Sequence, residues 1–426
     1  MGARMKQFIL DLSTSVRVGF FLSYRDIKRA NIWTTLLITF VMMLTFLNLI
    51  VIRGILVGLT EGSVRSYRER YTGNIFLSAL DKKQYIEDSH LPITLSQNIP
   101  LIQSVSPRYI GSGIVEADYK IQTRRDEGPD RANAVFVGID PESEDATTNL
   151  ASLLVKGTYL DQSKQNQVLV GVSMLSQYGS AAGTGSIALK NADVGSTVRI
   201  TVNGISKEVL IVGVVKGKVT NIDSRIFMLD RELRPMIGRT DFNVNEIAIK
   251  SKDTSHDPLI KNMLLGNNID SLAKVQTWQE AQPQFIKDIS STFALLGDLI
   301  GGIGLVVASI TIFIVIFVNA ITRRKFIGIL KGIGISPAAI EFSYMFQSFF
   351  YAVTGSGAGL CIVYGILVPY FSTRPINFPF SDGVFIADIP GVLTRVLILL
   401  IATIIAGYLP ARMIVKQKTL DAILGR

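Results

Sequence analysis

The chain has 426 residues, of which 48% are hydrophobic and 18% charged, and its formal net charge is +9. This composition is too apolar for an ordinary soluble protein and too charged for a chain that lies entirely in a bilayer, so it predicts membrane spans plus one sizeable soluble domain. The single cysteine, Cys361, excludes a disulfide framework, and with only two histidines we expect no metal site and no Cys- or His-based catalysis.

The positive charge is unevenly distributed along the chain. Residues 62–290 carry 26 basic and 26 acidic residues and are therefore neutral, so the whole excess lies in the remaining segments. Most of those basic residues flank apolar runs, which is typical of membrane topology signals and argues against a nucleic-acid partner.

The N-terminal part predicts a surface helix and then a span. Residues 1–30 mix apolar and basic residues at roughly helical spacing, which indicates a cytoplasmic amphipathic helix; an ordinary basic flank of a span is the alternative. Residues 31–61 contain most of a 23-residue uncharged run between Arg29 and Arg53, and they predict transmembrane helix 1 with its outward extension. The run is too long, and begins too late, for a cleaved signal peptide, so we expect an uncleaved anchor.

Residues 62–290 predict an external domain of mixed α and β structure. Four segments have strand-like composition, and residues 197–215 predict a hairpin with Asn203-Gly204 at its turn, where both residues need positive φ. The strand-like segments are 73–80, 133–140, 167–175 and 245–251. Polar helical segments connect this domain to the spans on both sides, so we expect movement of the spans to move the domain.

The C-terminal part predicts three more spans. Residues 291–322 form transmembrane helix 2, 341–371 helix 3 and 390–411 helix 4, with 372–389 as a short external loop and 412–426 as a tail. Lys and Arg concentrate before the first span, in 323–340 and in the tail, which places both termini in the cytoplasm. The predicted fold class is therefore an α-helical membrane protein with four transmembrane helices and one α+β external domain inserted between helices 1 and 2.

The sequence contains no recognised enzyme motif. The closest approach to a Walker A loop, GVVKGKV, has the wrong spacing, and no G-x-S-x-G or S-x-x-K motif organises the serines of the external block. We therefore expect no catalytic residues in this chain. A membrane-anchored enzyme with an unrecognised external site stays open as an alternative.

The segment 323–340, RRKFIGILKGIGISPAAI, interrupts the apolar spans with basic residues and regularly spaced glycines. Its isoleucines and Leu330 predict a short surface helix anchored by Ile327, Ile329, Leu330 and Ile333, with the basic residues facing water or a partner. A basic loop that lies on lipid headgroups is the alternative.

This segment resembles the signature of ABC-transporter permeases of the MacB, LolC/LolE and FtsX-like type. The tail GYLPARMIVKQKTLDAILGR resembles the second signature of that family, and the order of spans and external domain is similar as well. The resemblance implies that 323–340 is a coupling helix that docks on a cytoplasmic ABC ATPase subunit, through Arg323, Arg324, Lys325, Ile327, Gly328, Ile329, Lys331, Gly332, Gly334 and Ser336. In the tail, Pro410, Ala411 and Ala422 fall on family positions, whereas Phe326, Val415 and Thr419 depart from the usual pattern.

The resemblance also implies a mechanism of mechanotransmission in the cell inner membrane. ATP and Mg would bind the partner ATPase, with no cofactor in this chain, and the permease would pair with a second copy or a paralogue. Small residues of span 2 suit a dimer interface or packing within one subunit: Gly297, Gly301, Gly302 and Gly304. We expect Gly355, Gly357 and Gly359 of span 3 to pack on span 4.

Among substrates, the resemblance favours extraction or export of a lipoprotein or other amphipathic molecule from the outer leaflet. Drug or peptide efflux with a periplasmic adaptor is the alternative within the family. A regulatory or signalling membrane protein without transport activity is the alternative from another class.

Overall fold

The structure of the chain, a computed structural model, describes residues 2–120, 130–178, 188–374, 376–378, 381–383 and 385–416. The chain divides into two compact units. The helical unit comprises Met1–Glu61, Asp288–Ile376 and Gly383–Arg426, and the sheet unit comprises Gly62–Lys287 with Asn377–Asp382.

Among the described residues, four helical segments are long and apolar enough to cross a membrane: Ile32–Thr72, Gln284–Thr322, Pro337–Thr373 and Ile389–Val415. The predicted fold class is thereby confirmed, with the sheet unit inserted between the first and second of these helices. The helices in chain order are α1 Gly2–Arg29, α2 Ile32–Tyr67, α3 His90–Asn98, α4 Pro141–Thr148, α5 Thr220–Asp223, α6 Asp230–Met236, α7 Asp257–Gly266, α8 Gln284–Thr322, α9 Arg324–Gly332, α10 Pro337–Ile362, α11 Val368–Thr373 and α12 Ile389–Val415.

Glycines let α10 approach α2 closely in the helical unit. A Cβ at Gly355 would lie 2.5 Å from Met42 Cβ, and one at Gly359 would overlap the Phe46 ring. Met42 and Phe46 are fully buried there. Because these two glycines face α2, the expectation that they pack on the fourth span is wrong; small-residue spacing marks a contact face without naming the partner helix.

The strands of the sheet unit close into a barrel. Strands β2, β3, β8, β5, β7 and β6 pair in that order and β6 pairs back with β2, while β9, β1 and β10 extend the sheet from the first half of β2 and β4 pairs with β7. Closure leaves these six strands without a free edge. The ranges are β1 Ile75–Ala79, β2 Ile102–Glu116, β3 Arg131–Ile139, β4 Leu154–Gly157, β5 Gln167–Gly171, β6 Thr197–Val202, β7 Ile205–Val215, β8 Arg225–Leu229, β9 Glu246–Ser251 and β10 Ala273–Thr277, with a separate pair of β11 Ile376–Phe378 and β12 Ser381–Gly383.

The predicted hairpin is confirmed as β6 and β7 with a two-residue turn. Asn203 and Gly204 both have positive φ, at 51° and 81°, as a type I′ turn requires. The four predicted strand-like segments correspond to β1, β3, β5 and β9. The 15-residue strand β2 was not predicted, because Pro107, Gly111 and Gly113 break its apolar alternation. A Cβ at Gly113 would overlap the Thr201 carbonyl oxygen of β6, so barrel closure requires glycine there.

An ion pair between Arg108 of β2 and Glu144 of α4 is fully buried in the sheet unit. The guanidinium donates to both carboxylate oxygens at 2.8 and 2.7 Å, and the hydroxyls of Ser106 and Thr148 donate to the same carboxylate at 2.6 and 2.7 Å. Burial alone raises the pKa of the Glu144 carboxyl, but the Arg108 charge and these hydrogen bonds together hold that pKa below its ordinary value.

Both chain segments that enter the sheet unit are packed in one apolar cluster. Val64, Tyr67 and Tyr71 come from the end of α2 and the turn after it, and Ile286 comes from the start of α8. The Tyr71 hydroxyl donates to the Glu246 carboxylate at 2.7 and 2.8 Å, and the guanidinium carbons of two arginines lie about 5 Å from its ring centroid, at 5.0 Å for Arg108 and 5.1 Å for Arg225.

We predict that Glu144→Gln destabilises the sheet unit by about 3–5 kcal/mol, because it removes the charge partner that accepts two hydrogen bonds from the buried Arg108 guanidinium and leaves only the Glu246 carboxylate, at 3.9 Å. Urea unfolding followed by the fluorescence of Trp278, in a Trp33→Phe background, measures this change. In the native chain the Glu144 contribution is present above the ordinary carboxyl pKa and is lost as the pH falls through the lowered folded value. The variant should lack this part of the pH dependence; an unchanged acid profile would contradict the assignment.

Candidate functional site

The helix α9 connects α8 to α10 and ends in a Schellman motif. The Ile335 amide donates to the Leu330 carbonyl at 3.0 Å and the Gly334 amide to the Lys331 carbonyl at 3.1 Å, with Gly334 at φ +93°. The Ser336 hydroxyl then accepts the Ala339 amide at 3.2 Å and caps α10. Gly334 and Ser336, which were predicted to couple to a partner, therefore lie beyond α9 and shape the turn that follows it.

One face of α9 is anchored to the helical unit. Ile327 and Gly328 are buried, and Ile327 belongs to the apolar core of the unit. The Lys331 ammonium donates to the Val415 carbonyl at 2.9 Å, at the C-terminal end of α12 where a cation is favoured. Just before α9, the Arg323 guanidinium pairs with the Asp26 carboxylate of α1 at 2.9 Å. The termini of α1, α9 and α12 therefore meet at one end of this unit.

The opposite face of α9 is exposed and apolar at its centre. Phe326, Ile329 and Ile333 expose 41%, 52% and 70% of their surface, and their spacing of three and four residues places them on one face. Lys325 and Gly332 are also exposed on α9, and a Cβ at Gly332 would meet no atom within 4 Å. This set, Lys325, Phe326, Ile329, Gly332 and Ile333, is the exposed face of α9.

The structure divides the predicted anchoring residues between two faces. Ile327 and Leu330 pack into the core of the helical unit, whereas Ile329 and Ile333 are exposed, so the anchoring of the helix by these two residues stays a prediction. Conversely, Arg323 and Lys331 were expected to face water or a partner, and they bind α1 and α12. Phe326 was not among the predicted site residues; its spacing of three from Ile329 is the sequence signal that marks it.

The residues of the predicted tail motif lie in and beyond α12. Pro410 and Ala411 are buried inside that helix, whereas Ala422 lies outside the described residues. Arg324 is half-buried at the first position of α9. Among the described residues, no group of three or more His, Cys, Asp or Glu side chains is placed to hold a metal ion.

The small residues of α8 mostly pack within this chain. A Cβ at Gly297 would meet Arg53 at 3.2 Å, one at Gly301 would meet Leu49 at 3.3 Å, and one at Gly304 would lie 2.5 Å from the Asn48 Oδ1 atom, all on α2. A Cβ at Gly302 would meet nothing within 4 Å. Three of the four glycines thus pack on α2 within the same subunit, which was the alternative to a dimer interface. A role of Gly302 between subunits stays a prediction.

Comparison with known proteins finds a family match for the C-terminal part of the chain. Residues 299–419, which include most of α8 and all of α9 to α12, match the FtsX-like permease C-terminal family model. This C-terminal part of the chain is similar to FtsX-like permeases. The predicted resemblance to FtsX-like permeases is thereby confirmed for this part of the chain, which carries most of the apolar helices.

Similarity to a solved structure extends over half of the chain. The periplasmic region of MacB from Actinobacillus actinomycetemcomitans is 17% identical to it, with a TM-score of 0.35, and the match covers 50% of this chain and 92% of that one. No curated protein matches the chain significantly.

We predict that Gly304→Leu destabilises the helical unit by about 1–3 kcal/mol, because the new side chain overpacks the contact with Asn48. Gly302→Leu is the matched control, since it adds the same atoms to the same helix in open space. Thermal unfolding in detergent, followed by size-exclusion chromatography, measures both. Equal losses in the two variants would contradict the packing of α8 on α2.

Proposed function

We propose that this chain is the permease subunit of an ABC transporter whose ATP hydrolysis occurs in a separate cytoplasmic ATPase subunit. The observation that carries the proposal is the division of α9 into an anchored face and an exposed apolar face. Exposed Phe326, Ile329 and Ile333 are the kind of anchors that a short helix lays into a hydrophobic groove of a partner. The chain itself then needs no nucleotide, metal or catalytic residue.

The orientation of the permease follows from its basic segments. Arg323 contacts α1 and Lys331 contacts the end of α12, so the basic N-terminal helix, α9 and the end of α12 share one end of the helical unit. The positive-inside rule assigns that end to the cytoplasm and the sheet unit to the periplasm or extracellular space. We propose an inner-membrane location with cytoplasmic termini on this basis.

Anchoring at α9 supports transmission of force to the spans. A partner that moves α9 must also move α1 and α12, because an ion pair, a hydrogen bond and the burial of Ile327 connect them. In the sheet unit, the end of α2 and the start of α8 are packed in one apolar cluster, so both connections enter the domain through ordered structure. These contacts support mechanotransmission, in which the domain responds to the ATPase without a polar tunnel.

For the substrate, we propose a lipoprotein or another amphipathic molecule that the external domain extracts or hands over. The proposal draws on the family resemblance and on the small number of charged residues in the spans, which offer little lining for a hydrophilic path. A second permease copy or a paralogue would complete the transporter.

We predict that Ile329→Asp abolishes recovery of an ABC ATPase with the permease, because a carboxylate in an apolar groove is not solvated. The tagged full chain is purified from its native membrane, and stoichiometric partners are identified by mass spectrometry. Leu91→Asp, an equally exposed apolar position in the sheet unit, is the matched control and should retain the ATPase.

Two outcomes would contradict the proposal. If no ABC ATPase co-purifies with the unsubstituted chain, the transporter hypothesis is contradicted and a regulatory role is favoured. Full ATPase recovery by Ile329→Asp would instead show that the exposed face of α9 is not the docking surface.

A further inference from the structure

Three charged side chains from three spans meet at the end of the helical unit opposite α9. The Arg53 guanidinium of α2 pairs with the Asp298 carboxylate of α8, and the Arg395 guanidinium of α12 lies 3.6 Å from the same carboxylate. Arg395 also donates to the Gly391 carbonyl at 2.8 Å, and its side chain is only 14% exposed. Charged groups on apolar spans are costly, so such a cluster requires a structural or functional reason.

The cluster lies at the level of the lipid headgroups. At 1.5 Å of rise per residue, Arg53 is about 32 Å from the start of α2, Asp298 about 36 Å from the end of α8 and Arg395 about 30 Å from the end of α12. The hydrocarbon core of a bilayer is about 30 Å thick. All three side chains therefore reach the same membrane surface.

A cavity of about 510 Å³ opens beside these charges, between α2, α8 and α12. Its walls below the charges are apolar and include Leu49, Leu305 and Ile398, while Gly301 and Gly302 leave a groove along α8. This volume is within the range of small-molecule sites, about 300–1,000 Å³. The cavity thus combines a charged rim with an apolar interior, which is the polarity pattern of a membrane lipid.

The charges of the rim are balanced, which bears on the kind of headgroup. Asp388 lines a smaller neighbouring cavity together with Arg53 and Arg395, so two carboxylates oppose two guanidiniums. The Asp388 carboxylate also accepts the Gly391 amide at 2.8 Å as the cap of α12. A structural clamp would account for the Arg53–Asp298 pair, but not for the second arginine or the cavity. A headgroup with both charges matches this rim better than an anionic one.

We propose that this cavity binds a zwitterionic glycerophospholipid that carries a primary ammonium, such as phosphatidylethanolamine. Its phosphate lies between Arg53 and Arg395, each of which has five N–H donors, and its ammonium faces Asp298, which is 61% exposed. One acyl chain occupies the groove past Gly302. The site uses neither α9 nor the ATPase, so it goes beyond the proposed function and does not rest on it.

Native mass spectrometry of the delipidated full-length permease tests the proposal. The probes are dioleoyl phosphatidylethanolamine, dioleoyl phosphatidylglycerol and dioleoylglycerol, which share their acyl chains. We expect retention of phosphatidylethanolamine at least about tenfold above the other two, which corresponds to about 1.4 kcal/mol. Equal retention of dioleoylglycerol would overturn phosphate recognition, and equal retention of phosphatidylglycerol would overturn the role of Asp298.

Two variants separate this cavity from general lipid contact. Gly302→Leu fills the groove without a clash, and Arg395→Gln removes the buried charge, so each should lower phosphatidylethanolamine retention about tenfold. Gly357→Leu on α10 also adds a leucine in open space and should leave retention unchanged. A Cβ at Gly302 meets no atom within 4 Å, so we expect Gly302→Leu to fold. Retention by this variant equal to that of the unsubstituted chain would therefore overturn the site.

Discussion

The anchoring of α9 by its neighbours determines which face of this helix is exposed, and the proposed docking of an ATPase depends on that face. An isolated nine-residue helix is marginally stable in water, because its few hydrogen bonds do not offset the free-energy cost of nucleation. Burial of Ile327, the Lys331 hydrogen bond to α12 and the Schellman motif at Gly334 compensate for that. Among the described residues these contacts leave the opposite face exposed, so the geometry that stabilises α9 also exposes Phe326, Ile329 and Ile333, the proposed docking surface.

The large-scale organisation could be predicted because its physical signals are local. Long apolar runs imply spans regardless of tertiary structure, and Asn203-Gly204 implies its hairpin because only a type I′ turn suits that pair. The faces of α9 could not be read in this way. Arg323 and Lys331 resemble solvent-facing cations in sequence, and only the positions of Asp26 and the end of α12 turn them inward.

The same limit applies to β2 and to the glycines of α10. β2 has a poor strand pattern because Arg108 is buried against Glu144 of α4 and Gly113 lies against β6 at the closure of the barrel, and both contacts are long-range. The Gly355 and Gly359 positions predict a close helix contact, but α2 and α12 were equally available partners. These glycines predict from the sequence that another helix packs closely on α10. Only the structure identifies that helix as α2.

Site-specific photo-crosslinking along 325–335 in native membranes tests whether the exposed face of α9 docks on an ABC ATPase. A photoreactive residue is placed in turn at the exposed positions Phe326, Ile329 and Ile333 and at the inward positions Leu330 and Ile335, and the adducts are identified by mass spectrometry. We expect crosslinks to an ABC ATPase from the exposed positions only. Crosslinks from the inward positions, or lipid adducts alone from the exposed ones, would contradict this docking.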